Sequence, residues 1–493
     1  RPPEDRNFFQ QVYFHTLGTP NDQDTYVLGA DFPRIAEVDL TTTADGRYLL
    51  ASVANGDGGE YAHYLRAPDD SWQQITHFAD QVIAAEFGED DALYLLSHAD
   101  APRGAILRLP LATPALAHAR MIVPERDITI EQITPTATQL YVTELDGGPS
   151  QLRVYDLAGN AHGLLPMQPV SAVREIVALE GDQVLIRTNS FTEPPAWLHF
   201  TPTEEEPART ALQTTSPANF GAVEVLREFA TAPDGTRVPL NIMRRKGTVL
   251  DGNNPTILYG YGGYSISLSP YFDATASLWL DQGGVYVIAN LRGGGEYGEE
   301  WHRAGNLLNK QTVFDDFLAS AEYLIAAGYT QPARLGIMGG SNGGLLMGAA
   351  LTQRPDLFRA VVAYVGIYDM LRVELDPNGA FNVTEFGSVT DPAQFAALHA
   401  YSPYHRVVDG TPYPAVLFVT GDHDGRVNPA HSRKMAARLQ AATSSGLPVL
   451  LRTSANTGHG MGTSLSERIA EDTDVYAFLF DQLGMTYSET SAP

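Results

Sequence analysis

The chain has 493 residues, a formal net charge of −26 and no cysteine. The negative charge disfavours nucleic acid and anionic membranes as partners, because both bind a basic surface. The absence of cysteine excludes disulfides, thiol catalysis and thiolate metal sites. No apolar run approaches the roughly 20 residues that a membrane span needs. At about 150 residues per domain, the length predicts roughly two to four domains.

Residues 1–222 predict a repeated all-β domain. Short apolar alternations recur there, and turn residues separate them. Similar units begin at Ala36, Val82, Ile128 and Val170, so the steps are 46, 46 and 42 residues. A period of about 40 to 50 residues with roughly four strands per unit is typical of propeller blades. We predict a partial β-propeller of about four blades, with an irregular β-sandwich as the alternative.

The pattern changes after a polar, proline-rich stretch at 201–219, which indicates a domain boundary. After one hairpin at 232–245, apolar strand segments alternate with helical segments as far as the C-terminal region. Helices are predicted at 313–327, from about 342, from about 430 and at about 465–483. This alternation implies a mainly parallel sheet that is covered on both faces, so we predict an α/β domain over 223–493.

The segment "RLGIMGGSNGGLLMGAAL" predicts a strand, a sharp turn and a helix, with Ser341 in the turn. Gly339 and Gly343 flank this serine at two residues' distance, which is the nucleophile-elbow pattern. The glycines allow the strand and the helix to approach, and the helix N-terminus favours developing negative charge. Taken alone, the motif fits equally well a tight turn that carries an idle serine.

Two downstream loops supply an acid and a histidine in the order Ser, acid, His that is typical of α/β-hydrolases. Asp424 lies in the acidic turn after a predicted strand, and His459 lies between glycines in the loop after the next strand. Asp422 is the alternative acid, but Asp424 is preferred because it lies deeper in the loop. Nearby histidines without flanking glycines are His423 and His431.

The segment 293–298 also matches the G-x-G-x-x-G pattern of dinucleotide-binding loops. Three nearby carboxylates would repel a pyrophosphate, so we interpret the segment as a shaped loop. They are Glu296, Glu299 and Glu300. The sequence contains no H-E-x-x-H motif and no EF-hand loop, and we expect neither a cofactor nor a metal.

Several long stretches resemble the prolyl oligopeptidase family of serine peptidases. The resemblance runs from about residue 10 to the end and is densest in "LYGYGGYSIS", "ANLRGGGEYGEEWHRAGNLLNKQ", "GGSNGGLL", "GDHDGRVNPAHS" and "TGHGMG". It implies an α/β-hydrolase catalytic domain capped by a seven-bladed propeller, with the active site in the cleft between them. It also implies an N-terminal stretch and three further blades, so we expect this chain to be the C-terminal part of a longer polypeptide.

The resemblance implies roles for individual residues. Ser341 matches the nucleophile, Asp424 the acid and His459 the base. Tyr261 and the backbone N–H of Asn342 match the two donors of the oxyanion hole.

The substrate site is implied in the same way. Arg426 matches the arginine that holds a peptide carbonyl of the substrate. Asn382 departs from the family, because it stands where a tryptophan stacks on the proline ring. Phe381, one residue earlier, is a substitute for that tryptophan if the loop shifts. Positions that match the lining of the proline pocket are Tyr264, Ile367, Phe386 and Val427.

We therefore expect a serine peptidase that hydrolyses short peptides, on the carboxyl side of proline, through an acyl-enzyme. We expect a soluble monomer, cytoplasmic or periplasmic, with neither nucleic acid nor a membrane as partner. One alternative is an acylaminoacyl-peptidase or esterase on the same fold, although Arg426 argues against a simple esterase. The other is a propeller binding module with an inactive hydrolase domain, against which the complete set of triad residues argues.

Overall fold

The structure is a computed structural model that describes residues 5–488. The first half of this range contains a two-stranded hairpin and four four-stranded sheets. Its strands are β1 (Val12–Phe14), β2 (Thr25–Leu28), β3 (Ala36–Thr42), β4 (Leu49–Asn55), β5 (Tyr61–Arg66), β6 (Trp72–Thr76), β7 (Val82–Phe87), β8 (Ala92–Ser97), β9 (Ala105–Pro110), β10 (Arg120–Val123), β11 (Thr129–Pro135), β12 (Gln139–Leu145), β13 (Ser150–Asp156), β14 (Ala161–Leu165), β15 (Ser171–Ala178), β16 (Val184–Ser190), β17 (Ala196–Phe200) and β18 (Ala208–Gln213).

Each four-stranded sheet is an antiparallel meander of consecutive strands, the first being β3 to β6 and the last β15 to β18. Their first strands begin at Ala36, Val82, Thr129 and Ser171, within one residue of the repeats in the sequence. Buried aliphatic side chains join each sheet to the next, in three successive apolar clusters. The sheets are therefore blades of a β-propeller, and the β-sandwich alternative is wrong.

The second half is built on one eight-stranded sheet in the order β19-β20-β22-β21-β23-β24-β25-β26. Its pairings are parallel from β22 onward, and β20 pairs antiparallel with both of its neighbours. The strands are β19 (Val223–Thr231), β20 (Arg237–Arg245), β21 (Thr256–Gly260), β22 (Val285–Ala289), β23 (Leu335–Gly340), β24 (Ala360–Tyr364), β25 (Ala415–Gly421) and β26 (Val449–Ser454).

Helices cover both faces of this sheet. Successive residues of a strand point to opposite sides, so both sets of side chains are buried. Val361 thus belongs to the apolar cluster on one face, and Val362 to the cluster on the other. The helices are α1 (Ala276–Asp281), α2 (Glu299–Arg303), α3 (Gln311–Ala326), α4 (Asn342–Gln353), α5 (Val383–Phe386), α6 (Pro392–Tyr401), α7 (Pro403–Arg406), α8 (Ala430–Ala442) and α9 (Leu465–Gln482). This is the α/β-hydrolase arrangement predicted from the alternating pattern.

The four long helices lie where the sequence predicts them, and α3 begins two residues early. Short helices were missed, among them α2, which directly follows the glycine-rich segment 293–298. That segment is a tightly packed loop, since a Cβ atom on Gly295 would lie 2.5 Å from the Ser265 carbonyl oxygen. No helix of the described range is long and apolar enough to cross a membrane.

Candidate active site

The turn at Ser341 joins the end of β23 to the start of α4. Ser341 has φ 57° and ψ −118°, a strained conformation for a residue with a side chain. Its N–H donates to the Tyr364 carbonyl at 2.9 Å, which fixes the turn against β24. A Cβ atom on Gly339 would lie 2.6 Å from the Gly343 carbonyl oxygen. The strand and helix therefore approach as closely as the glycines allow, as a nucleophile elbow requires.

Asp424 and His459 form a hydrogen-bonded pair in the loops after β25 and β26. The carboxylate oxygen Oδ2 of Asp424 accepts from His459 Nδ1 at 2.7 Å. Its Oδ1 accepts the backbone N–H groups of Arg426 and Val427, each at 2.9 Å. The Asp424 side chain is fully buried, so three donors hold the carboxylate in one orientation. With Nδ1 engaged by Asp424, Nε2 is the nitrogen of His459 that is left to accept a proton.

The alternative acid and histidines are engaged elsewhere or exposed. Asp422 is exposed and binds the Arg433 guanidinium at 2.6 Å. His431 is buried, and its Nδ1 accepts two backbone N–H groups while its Nε2 lies 2.9 Å from Asp376. Both of its nitrogens are therefore occupied, and His423 lies exposed on the surface.

Two groups that can donate to an oxyanion lie beside Ser341. Tyr261 directly follows β21, and burial raises the pKa of its hydroxyl, although the neighbouring Ser341 side chain acts in the opposite direction. The phenol is therefore protonated at neutral pH and available as a donor. Asn342 is the first residue of α4, where backbone N–H groups lack partners within the helix. The Asn342 side-chain amide donates to the Tyr261 carbonyl at 2.6 Å and ties the two together.

A cavity of about 470 Å³ lies beside these groups, between the propeller and the hydrolase domain. Ser341 and His459 both line it, whereas Asp424, Asn342 and Phe386 are not part of the lining. Other predicted site residues on its wall are Tyr261, Tyr264, Ile367, Asn382, Arg426 and Val427. A larger interdomain cavity of about 630 Å³ contains none of the predicted catalytic residues.

Both halves of the chain match models of one family. Residues 1–212 match its N-terminal β-propeller domain, and residues 270–486 match the prolyl oligopeptidase family itself. The prolyl endopeptidase of Elizabethkingia meningoseptica is 36% identical over 482 residues, which cover 96% of this chain and 68% of that protein. This chain belongs to the prolyl oligopeptidase family. It is a serine-type endopeptidase with a propeller and an α/β-hydrolase domain.

Further matches support this membership. The prolyl endopeptidase of Dictyostelium discoideum is 30% identical over 506 residues, which cover 96% of this chain and 66% of that protein. A solved structure from a study of two prolyl endopeptidases matches with a TM-score of 0.92 at 37% identity, covering 98% of this chain and 71% of that chain. Prolyl oligopeptidase B of Galerina marginata, at 24% identity and a TM-score of 0.90, shares the fold.

Asn382, which is expected from the sequence in the place of a stacking tryptophan, lies in the wall of the cavity beside Ser341. The Tyr264 hydroxyl donates to Asn382 Oδ1 at 2.9 Å, and the Tyr264 ring packs edge-on against Phe386 at 5.6 Å. Phe381 stacks instead on Phe8, with ring centroids 5.2 Å apart and planes at 14°. Phe381 does not line the cavity, because its ring stacks on Phe8, so in this structure it is not placed to contact a bound proline.

The propeller contributes an acidic wall to the cavity, which the sequence reasoning missed. Asp57, in the β4–β5 hairpin, binds the Arg426 guanidinium at 2.6 Å. Glu37 and Asp39 of β3 line the cavity as well, and burial together with the Asp57 charge raises the pKa of Glu37. A guanidinium carries five N–H donors, so the bond to Asp57 leaves others for a substrate carbonyl.

Proposed function

We propose that this chain hydrolyses short peptides on the carboxyl side of proline, with Ser341 as nucleophile, His459 as base and Asp424 as the orienting acid. The observation that carries the proposal is the hydrogen bond between Asp424 and His459, together with the strained Ser341 turn that lines the same cavity as His459. The enzyme would consist of a propeller over 1–222 and a hydrolase domain over 223–493.

The arrangement supports acyl transfer in two steps. His459 Nε2 takes the proton of the Ser341 hydroxyl as the oxygen attacks the scissile carbonyl, and Asp424 stabilises the imidazolium. The Tyr261 hydroxyl and the Asn342 N–H donate to the oxyanion. Collapse of the intermediate transfers the proton to the leaving amine and forms an ester on Ser341. Water, deprotonated by His459, then releases the acid and restores the serine.

The cavity wall favours proline next to the scissile bond. Tyr264, Ile367 and Val427 provide apolar surface beside Ser341, and relatives of this chain are named prolyl endopeptidases. Asn382 replaces the stacking tryptophan of the family, so the preference for proline over alanine should be smaller than in a relative that has it. Arg426 would donate to a peptide carbonyl of the substrate, which a simple ester lacks.

Digestion of a mixed peptide library by the purified chain, with mass spectrometry of the products, tests the proposal. We expect cuts that cluster after proline in short peptides. Cuts that cluster after another residue would refute the proline assignment. Hydrolysis of small esters without peptide cleavage would favour the esterase alternative, and the absence of any turnover would favour the binding module.

A further inference from the structure

Lys310 is a buried cation that lies outside the cavity and has no part in the mechanism above. It immediately precedes α3, and its side chain is 1% exposed. Its Nζ donates to the Gly262 carbonyl at 3.0 Å and to Glu385 Oε1 at 2.8 Å. One ammonium therefore bridges the loop after β21 and the short helix α5, at residues 123 positions apart in the chain.

Both segments adjoin the candidate active site. Gly262 adjoins Tyr261, the proposed oxyanion donor. A Cβ atom on Gly263 would lie 2.9 Å from Lys310 Nζ, so the loop packs directly on the ammonium. Glu385 adjoins Phe386, and Lys310 Nζ lies 5.3 Å from the centre of that ring. A shift of Lys310 would thus move the oxyanion loop and the pocket wall relative to each other.

The carboxylate partner of Lys310 is itself anchored. Glu385 is buried, and its Oε2 lies 2.9 Å from His302 Nε2 on α2. Burial lowers the pKa of His302, but hydrogen bonds to Glu299 and Glu385 outweigh it and raise the pKa to about 9. Glu299 also accepts from Arg303 Nε at 2.7 Å, so acidic and basic groups alternate from Lys310 through Glu385, His302 and Glu299 to Arg303.

Stability alone does not account for such a cluster, because replacing a buried ion pair by apolar residues of similar size is often neutral or stabilising. We propose that Lys310 is a positioning residue that holds the Tyr261 donor and α5 in one relative geometry, through Gly262 and Glu385. The helix α5 directly follows Asn382 of the cavity wall, and its Phe386 ring packs against Tyr264 of the same wall. The inference rests on the proposed function, because it assigns Lys310 to the same site.

The test compares the wild type with the double variant Lys310→Met/Glu385→Gln, which removes both charges together. The matched control is Arg153→Met/Glu144→Gln, in which a partly buried guanidinium lies 2.9 Å from a fully buried carboxylate in the third four-stranded sheet. Active sites are counted with a serine-directed probe, and kcat per labelled site is measured on paired peptides with proline or alanine before the scissile bond.

We expect the double variant to fold and to be labelled, but to lose about 10²-fold in kcat per labelled site, since a misplacement of about 1 Å can cost that much. The proline-to-alanine ratio of kcat/KM should fall by about threefold or more, as the pocket wall loses its anchor. The control should keep both quantities within twofold of the wild type. A merely structural role would lower the number of labelled sites without changing kcat per site.

The near-isosteric single variant Glu385→Gln decides the matter if the double variant does not fold, with an expected loss of about tenfold in kcat per site. The inference is overturned if the variant that folds keeps kcat and the proline-to-alanine ratio within twofold, or if the control loses as much. A wild type that cleaves no peptide would instead refute the proposed function. If the wild type cleaves peptides and the variant is unaffected, only the role of Lys310 is refuted.

Discussion

Replacing Asn382 by tryptophan should increase the preference for proline over alanine. In the present pocket Asn382 is largely buried and accepts a hydrogen bond from the Tyr264 hydroxyl. A tryptophan would present a flat ring to the bound proline, and an aromatic contact of this kind contributes about 0.5–1.5 kcal/mol beyond area burial. It acts on proline more than on alanine, because alanine offers only a methyl group.

The expected gain is about 1 kcal/mol in discrimination, or roughly fivefold in the ratio of kcat/KM values. The loss of the Tyr264–Asn382 hydrogen bond affects both substrates alike. It should therefore appear as about 1 kcal/mol of lost protein stability rather than in the ratio. The assay measures kcat/KM for paired peptides that differ only in proline or alanine before the scissile bond, with thermal unfolding in parallel.

Phe381→Leu is the matched control, because Phe381 stacks on Phe8 and does not line the cavity. It should leave the proline-to-alanine ratio unchanged. An unchanged ratio in Asn382→Trp, or a reduced ratio in Phe381→Leu, would refute this description of the pocket. The second result would mean that Phe381 contacts the substrate.

Two further predictions concern Tyr261 and His302. Tyr261→Phe should lower kcat by about 10²-fold with little change in KM, and a rise in KM alone would make Tyr261 a binding residue. His302 has a raised pKa of about 9, so its stabilisation is fully present below its unfolded value near 6.5 and is lost as the pH rises through 9. Urea unfolding should show a loss of up to about 3 kcal/mol over this window that is absent in His302→Gln. The prediction is contradicted if the free energy of unfolding changes equally with pH in the wild type and in His302→Gln. The titratable or charged groups around His302 are Glu299, Glu385, Arg303 and His98.

Local pattern was sufficient to predict the architecture. The repeat spacing placed the first strand of each blade within one residue, because each blade repeats the same sequence of strands and turns. The elbow at Ser341 could be predicted because a strand, a glycine-flanked serine and a helix follow one another directly. Short helices such as α2 were missed, because five residues are too few for helical periodicity to show.

Contacts between distant segments could not be predicted from local pattern. The Asp57–Arg426 pair joins residues 369 positions apart, and nothing in the turn around Asp57 indicates an arginine partner. The Phe8–Phe381 stack, which keeps Phe381 out of the pocket, likewise depends on how the N-terminal segment packs. In the sequence Lys310 is an ordinary polar residue before a helix, and its burial follows only from the approach of a remote loop and of α5.

Labelling with an active-site serine probe, followed by mass spectrometry of the labelled peptide, tests the central claim most directly. We expect the probe to modify Ser341, because in the proposed mechanism the elbow and the Asp424–His459 pair activate that hydroxyl. Ser341→Ala should not be labelled and should lose about 10⁴- to 10⁶-fold in turnover while remaining folded. Labelling of another serine, or turnover of Ser341→Ala within tenfold of the wild type, would contradict the assignment.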